Sequence, residues 1–191
     1  LPFVISPLMW GVFSSTNRVD PLPDGYKNAK FAVSRLFSGS HLMSQFLASK
    51  YGSHLTPENF VVSENLKGAI AALESGKADF FLWEKYMTLN LVEERIFNYN
   101  GQVTAPWPAF VFVSKTDKQT IEKESLKELV DGAIKNFLSW DRTEAISEIS
   151  QHFGLRQEDT KSWFNEVRYY DGNKYWIDRI LAAQYLMQAN D

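Results

Sequence analysis

The stretch Ser34-Arg35-Leu36-Phe37-Ser38-Gly39-Ser40-His41 constrains the fold more than any other part of the chain. An apolar run, Lys30-Phe31-Ala32-Val33, precedes it, and a helical pattern from Leu42 to Tyr51 follows, ending at Gly52. The order reads as strand, small-residue turn, helix. A helix start leaves backbone N–H groups unpaired and carries partial positive charge, so it suits an anionic or polar group. Ser38 and Ser40 add hydroxyls, and Gly39 allows close approach to the backbone. Two uses fit this pattern: N-capping by Ser38 or Ser40, or a cradle for a ligand.

The same alternation continues downstream. Phe60-Val61-Val62 reads as a short strand. Asn65–Ser75 reads as a helix, because Leu66, Ala69, Ile70 and Leu73 recur at helical spacing, with Gly76 as its C-terminal stop. Ala78–Trp83 predicts a strand and Tyr86–Glu94 a helix. Glu94–Tyr99 carries a weaker strand signal, Thr104–Pro108 a turn with two prolines, and Ala109–Ser114 a strand. Asn17–Asn28 reads as loop. Residues 28–108 thus alternate β and α, which argues for a parallel sheet flanked by helices. From Lys118 the pattern turns helical: Ile121–Trp140, Arg142–Phe153, Glu158–Val167 and Gly172–Gln188 each carry an apolar face. The chain opens on a strand-like apolar run, Leu1–Phe13.

Composition excludes several functions. With a net charge of −3 the chain offers no basic face for nucleic acid or acidic lipid. It has no Cys, which rules out disulfides, thiol catalysis and Cys-ligated metals. His41, His54 and His152 lack metal-ligand spacing. No G-x-S-x-G, G-x-G-x-x-G or P-loop motif is present, so no catalytic residue, metal or cofactor is expected. No apolar run is long enough to span a membrane. Aromatic residues make up 15%, enough to furnish both a core and an apolar cleft. Glu84, at the end of a strand, can hold a ligand cation or begin a helix. Glu93-Glu94 reads as a solvated helix face.

The order of several motifs resembles the type II periplasmic-binding-protein fold, an α/β architecture. They are Ser6-Pro7-Leu8-Met9-Trp10-Gly11-Val12, Ala32-Val33-Ser34-Arg35, Ser38–Met43, Gly76–Glu84, Thr104-Ala105-Pro106-Trp107-Pro108 and Trp163–Tyr169. They are most similar to the branch around alkanesulfonate-, nitrate- and thiamine-pyrimidine-binding proteins, within a poorly characterised bacterial and fungal subgroup. The resemblance implies two α/β lobes joined by crossing strands, with ligand in the cleft between them. Residues 1–17 and 104–191 would form a first lobe, incomplete because its opening elements precede this chain, and residues 18–103 the second. Pro2–Phe13 and Ala109–Ser114 would be paired hinge crossings. The resemblance further implies a solute-binding protein for a small polar or anionic organic molecule, with an ABC-type permease as partner. The ligand-facing residues would be Ser6, Trp10, Ser34, Ser38, Gly39, Ser40, His41, Trp83, Glu84, Thr104 and Trp107. The Ser38–His41 helix start would take the anionic end, and Trp10, Trp83 and Trp107 would be the walls. Phe37 departs from the subgroup, which tends to have Gly there. A periplasmic or envelope location would follow for a bacterial source, a cytoplasmic one for a fungal source. Two rivals share the fold: a thiamine-pyrimidine-precursor synthase, whose His cluster and Cys-rich iron motif have no match here, and a ligand-sensing regulatory module.

Overall fold

A computed structural model describes residues 2–18, 26, 28–113, 120–170 and 181. Among them are five strands and six helices: β1 (Pro2–Ser15), β2 (Phe31–Val33), α1 (Gly39–Lys50), β3 (Phe60–Val62), α2 (Leu66–Glu74), β4 (Phe80–Glu84), α3 (Lys85–Glu93), β5 (Phe97–Val111), α4 (Thr120–Ser139), α5 (Arg142–Phe153) and α6 (Gln157–Glu166). The expected helix over Gly172–Gln188 lies outside the described residues save Leu181, as do positions 19–25 and 27 of the expected loop and Ser114 of the expected strand. No helix among the described residues is long and apolar enough to cross a membrane.

The chain divides into two compact units. Unit 1 holds residues 1–7 and 107–180, and unit 2 holds residues 8–106 and 181–191. The strands form one sheet in the order β3-β2-β4-β1-β5. β2 runs parallel to β3 and β4, while β1 runs antiparallel to β4. The parallel sheet expected over residues 28–108 is present in β2, β3 and β4, and the antiparallel β1 makes the whole sheet mixed. Its parallel part is the β-turn-α repeat read from the sequence, since each of β2, β3 and β4 leads into a helix.

One segment differs plainly from expectation. Thr104–Pro108 is extended rather than a turn, and one continuous strand runs from Phe97 to Val111. Position in the sheet explains the difference: β5 is an edge strand, where proline is tolerated because one side has no ladder to complete. Pro106 and Pro108 stand two residues apart and so face the same side.

Unit 2 is packed on both faces of its sheet. On one face Phe13, Phe81 and Phe97 are buried with Ala69, Ala72 and Leu73, the inward positions of α2. On the other, Tyr26, Phe31 and Phe80 meet ring to ring, at centroid distances of 5.0 to 6.2 Å. There α1 packs on β2 and β4 and buries Met43, Leu47 and Ala48.

Unit 1 is built from its helices and the outer ends of β1 and β5. Ile5 N–H donates to Arg168 O at 2.9 Å, and Tyr170 N–H to Phe3 O at 3.0 Å. The ring of Phe3 lies 5.9 Å from Phe110 and 4.6 Å from Phe112. Phe137 of α4 packs on Phe164 of α6. The buried hydroxyl of Ser150 donates to Thr160 Oγ1 at 2.8 Å, tying α5 to α6.

Candidate functional site

The carboxyl ends of β2 and β4 carry most of the residues singled out by sequence. In open α/β sheets ligands bind outside this edge. After Val33 the chain turns through Ser34–Ser38 and enters α1 at Gly39. Ser38 is the N-cap: its Oγ accepts the His41 N–H at 3.4 Å and lies 3.0 Å from Ser40 Oγ. Ser40 Oγ accepts the Ser34 N–H at 3.0 Å. Ser40 is 1% exposed and Ser38 5%, so both hydroxyls belong to an internal network that fixes the turn. Capping is thus realised. Gly39, by contrast, is exposed. An exposed helix start, whose first N–H groups have no partner inside the helix, can accept an anionic or polar group.

Trp10 lies against this helix start. A Cβ at Gly39 would stand 2.8 Å from its indole, so the ring is seated where only glycine leaves room. Trp10 faces Glu84 across the β1–β4 ladder, and residues directly opposite share one face of a sheet. Trp83 therefore lies on the other face. It stacks on Phe81 at 5.3 Å and joins the core beside α2. Glu84 is the N-cap of α3, with Oε2 accepting the Met87 N–H at 2.7 Å, the helix-start role weighed from sequence.

The remaining positions lie elsewhere. Thr104 is an exposed residue of β5 in unit 2. Ser6 and Trp107 belong to unit 1. Ser6 Oγ accepts the Arg168 N–H at 3.0 Å, and Trp107 is half-buried. Within unit 2 the structure brings together Trp10, Ser34, Ser38, Gly39, Ser40 and His41.

Phe37 explains itself through its backbone. Its φ of 62° lies in the left-handed region, which glycine enters freely and a bulky residue only under strain. Its ring is 77% exposed.

His41 is 7% exposed. Its Nδ1 accepts the Phe37 N–H at 3.2 Å, and its ring meets Phe60 edge-on at 4.2 Å. Burial pushes its pKa down from 6.5, because the charged form loses solvation. Below pH 6.5 the unfolded chain then binds more protons at this residue than the folded one, so stability falls as pH drops. Melting curves at pH 7 and pH 5 should show a smaller loss in His41→Phe than in wild type. Equal losses would mean that His41 is as well solvated folded as unfolded.

His41 also borders a cavity of about 360 Å³ in unit 2, shared with His54, Thr56 and Phe60. Sequence spacing gave no sign that His41 and His54 meet at one cavity, because the intervening helix and loop return the chain. A larger concavity of about 750 Å³ lies in unit 1, between α4 and the segment Val167–Tyr170. None of the expected ligand-facing residues lines it, although Phe164 and Val167–Tyr169 of the Trp163–Tyr169 motif do, and its Lys127 and Asp131 pair with each other. Among the described residues no group of three or more His, Asp or Glu side chains is placed to hold a metal ion.

Comparison with known proteins bears out the resemblance read from sequence. Residues 10–102 match the family described as Ca3427-like PBP. The Candida albicans CA3427 gene product, described as defining a new family with the generic periplasmic binding protein fold, superposes with a TM-score of 0.84 at 23% identity, over 99% of this chain. The chain spans only 64% of the length of that protein. The periplasmic aliphatic sulphonate binding protein SsuA from Escherichia coli matches with a TM-score of 0.58 at 12% identity, over 98% of this chain and 63% of its own. Protein AF1704 from Archaeoglobus fulgidus matches with a TM-score of 0.58 at 16% identity, over 99% of this chain and 71% of its own. No curated protein sequence matches the chain.

Proposed function

From a chain of periplasmic-binding-protein-like fold, we propose a solute-binding protein for a small polar or anionic organic molecule. The α1 start takes the anionic end, and Trp10 covers the organic body. The observation that carries this reading is the exposed Gly39 at the start of α1 beside a Trp10 indole seated on it. A helix start and an aromatic wall suffice for binding. Delivery to an ABC-type permease is the role we assign to the bound state, and the likeness in fold to SsuA, a periplasmic aliphatic sulphonate binding protein, supports capture of such a solute. That neighbour makes aliphatic sulphonates the first probes to try.

Native mass spectrometry of protein purified gently from its host should reveal a carried-over ligand by its mass. Gly39→Asp then tests the site. Its carboxylate faces the anion, and its Cβ displaces Trp10. Affinity for the anion should fall at least about tenfold, the worth of one lost charge-assisted hydrogen bond, while far-UV circular dichroism still shows a folded chain. Unchanged affinity by calorimetry would leave Ser38–Ser40 as a capped helix start and nothing more. Deleting the gene should abolish uptake of the identified ligand, and uptake that persists would remove the transport role.

A further inference from the structure

We infer that the cavity beside α1 is a second small-molecule site, built for an uncharged aromatic compound that carries one hydrogen-bond acceptor. Its volume, about 360 Å³, falls within the range of about 300–1,000 Å³ usual for ligand sites. Leu55, Pro57, Phe37 and Phe60 give it apolar and aromatic walls. His41 supplies the polar point. Its ring stands edge-on to Phe60 at 4.2 Å and to Phe37 at 5.8 Å, so a planar guest finds rings already set for tilted packing.

Among the polar side chains that line the cavity, which include Gln45 and His54 at its more exposed margin, His41 is the buried one, and its hydrogen bonding fixes which of its atoms faces a guest. Nδ1 of His41 accepts the Phe37 N–H, so the neutral imidazole carries its proton on Nε2. No described residue accepts that proton, and Nε2 is not among the sealed, unpartnered polar atoms. It remains the donor that a nearly buried side chain lining the cavity has to offer. The hydroxyl of Thr56 is already committed to Asn59 Oδ1 at 3.1 Å.

Charge decides the class of guest. No Lys, Arg, Asp or Glu lines the cavity among the described residues. An ionic guest would lose its solvation and gain no counter-charge. Burial also favours the neutral imidazole, which adds no positive charge. The site therefore differs in ligand chemistry from the α1 start and stands or falls independently of it.

Three probes of similar shape separate the terms: acetophenone, with an acceptor; ethylbenzene, without one; and benzoate, charged. Saturation-transfer NMR titrations on the whole chain should show acetophenone binding saturably. It should bind about fivefold more tightly than ethylbenzene, the ordinary net worth of one neutral hydrogen bond, with benzoate weakest. His41→Phe keeps a ring against Phe60 and should bring acetophenone down to the level of ethylbenzene without weakening ethylbenzene. Gln45→Trp, which fills the cavity from α1, should weaken both neutral probes. The site is overturned if acetophenone fails to saturate, or if Gln45→Trp leaves binding intact. Equal affinity for the two neutral probes removes the His41 contact, and benzoate binding as tightly as acetophenone removes the uncharged class.

Discussion

Phe81→Ala should lower the stability of the chain by about 3–5 kcal/mol, as large-to-small changes of buried aromatics do. Phe81 is fully buried on β4, between β2 and β1. Its ladder partners are Phe13 on β1 and Ala32 on β2. Its ring stacks on Trp83 at 5.3 Å and lies 6.2 Å from Phe97. Small residues pack in the same cluster: Ala32, Ala69, Ala72 and Ala78. They cannot extend into the space the ring would vacate, so the void persists and the full cavity term applies. Urea unfolding followed by circular dichroism measures the change. Phe37→Ala is the internal contrast: the same side chain, 77% exposed, should change stability by less than about 0.5 kcal/mol, as surface substitutions do. Similar losses at both positions would mean that Phe81 does not sit in a closed core.

The difference between these two phenylalanines shows what the sequence makes legible. Local periodicity locates elements well. Arg142–Phe153 and Phe60–Val62 have the bounds that their apolar patterns and flanking residues predict, and Gly39 opens α1 where the turn signals place it, with Ser38 the cap of the two serines that sequence left open. Non-local facts are hidden. Pro106 and Pro108 read as a turn because nothing local says that β5 will be an edge strand. Trp10 and Trp83 read as two walls of one site. The antiparallel register pairs Trp10 with Glu84 and Trp83 with Gly11, and a shift of one position decides which face each ring takes. Ser40 reads as a free hydroxyl until the β2–α1 turn brings the Ser34 N–H to it.

The cluster of helix starts at one sheet edge is a consequence of the parallel strands. Each of β2, β3 and β4 ends at the same edge, and each following helix begins there with a side-chain or turn cap: Ser38 for α1, Asn65 for α2, Glu84 for α3. What distinguishes α1 is residue size. Gly39 is exposed and lets an indole close in, whereas α2 and α3 open on Leu66 and Lys85 after their Asn65 and Glu84 caps.

Gly68→Ala should destabilise the chain by about 2–3 kcal/mol, the usual cost of forcing extra atoms into a filled space. Intrinsic helix propensity alone gives the opposite sign, since alanine is favoured over glycine by about 1 kcal/mol inside a helix. Geometry decides between them. Gly68 lies in the first turn of α2, where its N–H donates to Asn65 Oδ1 at 3.0 Å. A Cβ there would stand 1.9 Å from the Ser63 carbonyl oxygen and 2.9 Å from its carbon. That carbonyl cannot step aside cheaply. Ser63 N–H donates to Val33 O at 2.8 Å, and Ser63 Oγ to the same oxygen at 3.1 Å. Its own carbonyl accepts the Asn65 N–H at 2.7 Å. Relief must therefore come from shifting α2 off β2 and β4 or from losing the Asn65 cap, worth about 1 kcal/mol. Gly132→Ala, in the middle of α4, meets nothing within 4 Å and should gain about 1 kcal/mol from propensity alone. The two substitutions should thus move the urea midpoint in opposite directions. A gain at both would show that the Ser63 carbonyl yields and that α2 is not seated tightly on the edge of the sheet.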